Sequence, residues 1–184
     1  LPEGHVRIIT HEDIEHLVQS YAQAANRAKV SGFDGIEIHS GHGYLLSQFI
    51  SPAYNKRQDE YGGAIENRVR VHIQIYQAVR EVVGTDYPIL IKMNGEDFIE
   101  NGLTREDSLK AAKIFADAGF DAIEVSGGII RTGRLSPSRP GITTEDKEAY
   151  FKEYAGYFKK FITEHSEAKF SHGICPDCMK KFYP

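Results

Sequence analysis

A ten-residue pattern occurs twice in this 184-residue chain, and its spacing limits what the chain can fold into. Residues 32–41 read Gly-Phe-Asp-Gly-Ile-Glu-Ile-His-Ser-Gly, and residues 119–128 read Gly-Phe-Asp-Ala-Ile-Glu-Val-Ser-Gly-Gly, 87 positions later. Each copy follows an Ala-rich amphipathic stretch, Tyr21–Val30 before the first and Leu109–Ala118 before the second. The order is helix, glycine stop, short strand. The strands are placed at Gly35–His39 and Ala122–Ser126, with a third at Tyr87–Met93 between them. That third run is continuously apolar up to Lys92, as a parallel strand buried on both faces should be.

Helical spacing of Ile65, Val69, Ile73, Tyr76 and Val79 predicts a helix over Ala64–Val83, stopped by Gly84. Thr10 with Asp13, and Thr104 with Asp107, read as helix starts in capping-box style. A further helix is expected to end near Tyr154. The chain therefore alternates helix and strand, which demands a parallel sheet. The 87-residue offset holds two βα units of roughly 40 residues, the size of a unit in a (β/α)8 barrel. Three strands cannot close a barrel, so the expectation is a partial α/β TIM barrel with at least half of it outside this chain. The first residue is Leu1 rather than Met, so the chain is not expected to begin where translation normally begins.

The segments Ser40–Gly63, Asn94–Leu103 and Ser126–Glu145 read as long loops at the carboxyl ends of the strands. Parallel α/β proteins build their sites there. The first of them is the richest: His39-Ser-Gly-His-Gly-Tyr44. Two imidazoles can donate hydrogen bonds to a carbonyl and polarise it, and a phenol can act as a general acid. The plainer reading is a set of pocket-lining side chains. A metal reading finds no obvious third ligand beside His39 and His42. Lys92, inside an apolar run, needs an anionic or polar partner. It could hold a cofactor carbonyl or phosphate, snorkel to solvent, or pair with Glu37 or Glu124 on a neighbouring strand.

Three stretches carry a resemblance. They are Glu37-Ile-His-Ser-Gly-His-Gly-Tyr-Leu-Leu-Ser-Gln-Phe-Ile-Ser-Pro52, Asn55-Lys-Arg-Gln-Asp-Glu-Tyr-Gly-Gly63 and Glu66-Asn-Arg68. Together they closely resemble the Old Yellow Enzyme family of FMN-dependent NAD(P)H:flavin oxidoreductases and ene-reductases, over about residues 8–155. The resemblance implies a TIM barrel, of which strands four to six are present, with FMN at the strands' carboxyl ends. It implies that His39 and His42 bind the acceptor's carbonyl oxygen and that Tyr44 protonates the alkene. Lys92 takes the place of the basic residue that contacts the flavin ring near its N1 and O2 edge. Ser126, Gly127 and Gly128 would lie near the pocket, and the Asn55–Gly63 segment would be structural. Hydride would pass from NAD(P)H through FMN to the β-carbon of an activated alkene or a similar small-molecule acceptor.

Strands one to three, seven and eight have no counterpart in the sequence, so the isolated chain is expected to be inactive. Residues 156–184 read as a tail of separate character. They resemble the cysteine-bearing tail of bacterial two-component signalling proteins. Cys175 and Cys178, with His165 or His172, are weak zinc candidates there, and no metal is assigned. The alternative function is then a non-catalytic fragment or fusion with a zinc- or partner-binding tail.

Composition adds exclusions. Hydrophobic residues at 41% and charged residues at 26% rule out a disordered chain. A net charge of −4 gives no footprint for nucleic acid. No apolar run is long enough for a membrane helix. Two cysteines form no disulfide framework, which points to a reducing, cytoplasmic setting.

Overall fold

The structure is a computed structural model, and it describes residues 8–167. Helix α1 (His11–Val30) starts at Thr10 in a reciprocal capping box. The Thr10 hydroxyl accepts from Asp13 N–H, and the Asp13 carboxylate accepts from Thr10 N–H. Its inner face carries Ile14, Ala22 and Ala25. The chain turns through Gly32 into strand β1 (Ile36–Ser40). A short helix, α2 (Leu45–Ile50), follows within the segment expected to be loop, because Leu46, Phe49 and Ile50 recur at helical spacing and are all buried.

The helix expected over Ala64–Val83 is present in two parts, α3 (Ile65–Arg68) and α4 (Arg70–Val83). The interruption is Val69, whose ψ opens to −4°. Just before it, the Arg68 guanidinium turns inward and donates to Ile50 O, Gly63 O and Asp107. Gly84 ends α4 at φ 82°, and β2 (Ile89–Asn94) follows. Thr104 caps α5 (Arg105–Ala118), which Gly119 stops in the left-handed conformation. Strand β3 (Ala122–Ser126) leads into a 3-10 segment over Ile130–Leu135.

The strands form one parallel sheet in the order β1-β2-β3. The register aligns Ile38 with Ile91, Ile91 with Ile123, His39 with Lys92, and Lys92 with Glu124. One face therefore carries Ile36, Ile38, Ile89, Ile91, Met93, Ile123 and Val125, which join the core under the helices. The other face carries Glu37, His39, Leu90, Lys92, Ala122 and Glu124, none of them buried, and at its carboxyl end Asn94 and Ser126, both buried. Over Ile89–Met93, strand β2 is thus buried on one face among the described residues, not on both. Its apolar run looked two-sided because Leu90, on the open face, is apolar like Ile89 and Ile91 on either side of it.

The expected helix end near Tyr154 is a helix beginning instead. Helix α6 (Lys152–His165) runs across position 155/156 and buries Phe158 and Ile162 in the core beside α5. The first ten residues of the expected 156–184 tail are helical for that reason. Cys175, Cys178 and His172 lie outside the described residues. His165 Nδ1 is hydrogen-bonded to Phe161 O of its own helix.

Candidate active site

The parallel register sets the site. His39 on β1, Lys92 on β2 and Glu124 on β3 form a row across the open face, one residue from the end of β1 and two from the ends of β2 and β3. Beyond β1 the chain turns sharply. His42 and Gly43 both hold positive φ, 64° and 83°. This turn brings the His42 ring to 4.9 Å from the His39 ring, centroid to centroid, and the Tyr44 ring to 5.4 Å from it. Three of the residues expected from sequence to carry chemistry are therefore one cluster, with Lys92 beside it. Tyr44 is 55% exposed and stands at the start of α2.

Lys92 does not reach freely into solvent. Its Nζ lies 2.5 Å from Glu124 Oε1. That bond holds the Glu124 carboxyl below the usual range, while burial and the neighbouring Glu124 raise Glu37. Both imidazoles are pushed down. His42 falls to about 4 through burial, then the nearby His39 and Lys92. Burial and Lys92 lower His39. At neutral pH the pair is uncharged, and each ring offers one N–H donor.

Two buried polar residues hold the cluster, and sequence reading missed both. Asn94, fully buried, accepts at Oδ1 from the His42 N–H at 3.0 Å. Its Nδ2 donates to Asp97 Oδ1 and Gly128 O. Asp97, 1% exposed, accepts from Leu103 N–H with its other oxygen. One amide thus ties the loops after β1, β2 and β3 together, which satisfies groups that burial would otherwise penalise. Gly128 has to be glycine here, because at φ 75° an added Cβ would sit 2.0 Å from Leu135 O. The signal available in sequence was Asn94 ending a strand with Asp97 three residues on.

Behind β1, the Ser40 hydroxyl is hydrogen-bonded to His72 Nε2 at 2.8 Å. His72 is wholly buried on α4, and burial pushes it down to about 3. The Asn55–Gly63 segment is held by Asn55 Nδ2, which donates to Tyr61 O within it and to Phe49 O of α2, and by Arg57, which donates to both oxygens of Asp59. His11, Asp59 and Glu60 come together nearby on the surface, but Asp59 is already committed to Arg57.

A cavity of about 490 Å³ opens beside the row, lined by Lys92, Glu124, Ser126, Tyr150 and Phe151. It joins the Lys92–Glu124 pair and an aromatic wall at the carboxyl end of a parallel sheet, and His39, His42 and Tyr44 stand outside its lining. The sequence profile of the NADH:flavin oxidoreductase / NADH oxidase family matches residues 3–132. This chain belongs to that family.

The chain is 43% identical over 135 residues to an NADH oxidase of Thermoanaerobacter brockii, which covers 72% of this chain and 21% of that protein. It is 46% identical over 127 residues to an NADPH dehydrogenase of Geobacillus sp. strain WCH70, covering 69% and 37%. Among solved structures, a 2-naphthoyl-CoA reductase in complex with 2-naphthoyl-CoA superposes with a TM-score of 0.73 at 35% identity, over 84% of this chain and 23% of that one. An Old Yellow Enzyme homologue from Zymomonas mobilis superposes at 0.60 and 30% identity, over 68% and 36%. The chain spans well under half the length of each of these relatives. Its sheet and helices are part of the family's (β/α)8 barrel.

FMN, with NAD(P)H as reductant, is the family's cofactor pair. The residues present fit the polar edge of a flavin ring. The Lys92 ammonium stands in the row on the open side of the sheet, where a carbonyl oxygen bearing negative charge would be stabilised.

Proposed function

We propose that this chain carries the acceptor-binding and proton-donating part of an FMN-dependent NAD(P)H oxidoreductase whose acceptor is an activated alkene or a related carbonyl compound. The observation that supports this reading is the His39, His42 and Tyr44 cluster, packed ring to ring beside Lys92. FMN, when bound, supplies hydride taken from NAD(P)H. Everything else falls to the chain. Lys92 would hold the carbonyl edge of the flavin ring, with its ammonium kept in place by Glu124. His39 and His42, uncharged at neutral pH, donate hydrogen bonds to the acceptor's carbonyl oxygen and draw charge from the conjugated double bond. The Tyr44 hydroxyl, exposed beside them, gives its proton to the α-carbon while the β-carbon receives hydride.

The test is NADPH-driven reduction of 2-cyclohexen-1-one in D2O by a complete family barrel in which this chain replaces the matching segment, with FMN supplied. Deuterium at the α-carbon, with product formation at least tenfold slower in Tyr44→Phe, is the expected result. Equal, measurable rates for Tyr44→Phe and the parent barrel would overturn the assignment of the proton donor.

A further inference from the structure

Ser126 ends β3 with its side chain on the open face of the sheet, and it is 6% exposed. Its Oγ lies 2.7 Å from His42 Nε2. Among the described residues this hydroxyl has no second hydrogen bond. His42 Nδ1 has none either, and it is not among the buried unpaired atoms, so it is open to a ligand.

Two arrangements satisfy the 2.7 Å contact. In the first, Nε2–H donates to Oγ. The serine proton then finds no protein acceptor among the described residues, and the accessible Nδ1 is a bare lone pair. In the second, the serine hydroxyl donates to Nε2. No buried donor is left over, and the hydrogen of the neutral ring sits on the accessible Nδ1. Leaving a buried donor unpaired is the more costly error, so the second arrangement is favoured. We propose that Ser126 is a positioning residue that fixes His42 as its Nδ1–H tautomer, so that the accessible ring nitrogen is a hydrogen-bond donor.

Two features make this control effective. The His42 backbone cannot swing away, because Asn94 holds its N–H in a left-handed turn and Ile129 bridges to it from the loop after β3. The ring is also neutral around pH 7, with burial, His39 and Lys92 disfavouring its charge against the opposing pull of Glu124. A neutral imidazole has one donor, and its location decides whether His42 can serve a carbonyl. That consequence rests on the acceptor-binding role proposed above. The tautomer itself does not.

The experiment is long-range 1H–15N correlation on the full chain labelled with 15N-histidine, at pH 7 without cofactor. His42 is assigned by its loss in His42→Gln. The expected spectrum shows His42 Nδ1 as the protonated nitrogen and Nε2 as the bare one. Ser126→Ala should move His42 toward the Nε2–H form, and Ser126→Thr, which keeps the hydroxyl, should restore Nδ1–H. If Ser126→Ala loses its helical circular dichroism, Ser126→Cys replaces it, with a weaker donor and the same expected direction. An Nε2–H ring in the parent chain, or an unchanged ring in the folded variant, would overturn the proposal. Adding 2-cyclohexen-1-one separates the two readings. A shifted Nδ1 supports the acceptor role, whereas an unmoved Nδ1 in a ring that is Nδ1–H contradicts that role alone.

Discussion

Lys92 and Glu124 face each other across the β2–β3 ladder and join at 2.5 Å, with His39 next in the same row on β1. The pair places an ammonium balanced by a carboxylate at the centre of the open face, and beside it burial and Glu124 raise the Glu37 carboxyl. Several consequences of this arrangement can be measured.

Replacing Lys92 by Met leaves Glu37 and Glu124 without their cation. Both groups are partly exposed, so the expected loss at pH 7 is modest, up to about 1 kcal/mol. Glu124 is depressed in the folded state, so its contribution is present above the ordinary carboxylate range and lost as pH falls through it. The gap between Lys92→Met and the parent should therefore narrow between pH 7 and pH 4. Urea denaturation at the two pH values checks this, and a constant gap would count against the charge account.

Acid should destabilise the fold through two histidines. His72 at about 3 and His42 at about 4 both stay neutral in the folded chain well below the ordinary 6.5, where the unfolded chain takes up protons. Their stabilising contribution is complete above pH 6.5 and falls as pH drops toward 4, by about 1.4 kcal/mol per pH unit for the wholly buried His72 and by less for the partly exposed His42. His72→Leu, with similar volume and no proton to take up, should flatten this slope by roughly one proton. Stability measured from pH 7 to pH 4.5 gives the slope directly.

Asn94→Leu removes three hydrogen bonds at once and orphans the His42 N–H, Gly128 O and one oxygen of Asp97. The expected cost is about 3 kcal/mol, since each buried polar group left unpaired costs about 1–3 kcal/mol. Hydrogen exchange should show the His42 amide losing protection first. A loss below about 1 kcal/mol would mean that the three loops hold without this amide.

Arg68, 4% exposed, joins the turn at Gly63, the end of α2 at Ile50 and the first turn of α5 at Asp107. Arg68→Ala leaves Asp107 and two carbonyls without their partner and should cost about 3–5 kcal/mol. Arg68→Lys, which keeps the charge but not the fork of donors, should recover only part of that. Thermal unfolding of the two variants separates charge from geometry.

The strands and long helices were legible in the sequence because their signals are local. The repeated Gly-Phe-Asp motif gave β1 and β3, and Thr10 and Thr104 marked two helix starts. The His39–Tyr44 cluster was legible because its members are five residues apart at most. Asn94, Ser126 and Arg68 reach partners 34 to 84 residues away in sequence, and nothing in their immediate neighbours announces those partners, whereas Asp97 reaches only three and six residues along the chain and gains its meaning from the buried Asn94. The start of α6 was missed for a related reason. Phe158 and Ile162 gain their meaning only from α5, which they cover. The Lys92 alternatives could not be ordered without the β2–β3 register, which puts Glu124 directly opposite.

The most direct test of the central claim is a titration of FMN into the full chain, followed by quenching of flavin fluorescence, for the parent and Lys92→Ala. The account predicts saturable quenching by the parent and at least tenfold weaker binding by Lys92→Ala, with His42→Gln closer to the parent. Identical curves for the parent and Lys92→Ala would contradict the placement of a flavin edge at Lys92, and with it the proposed site.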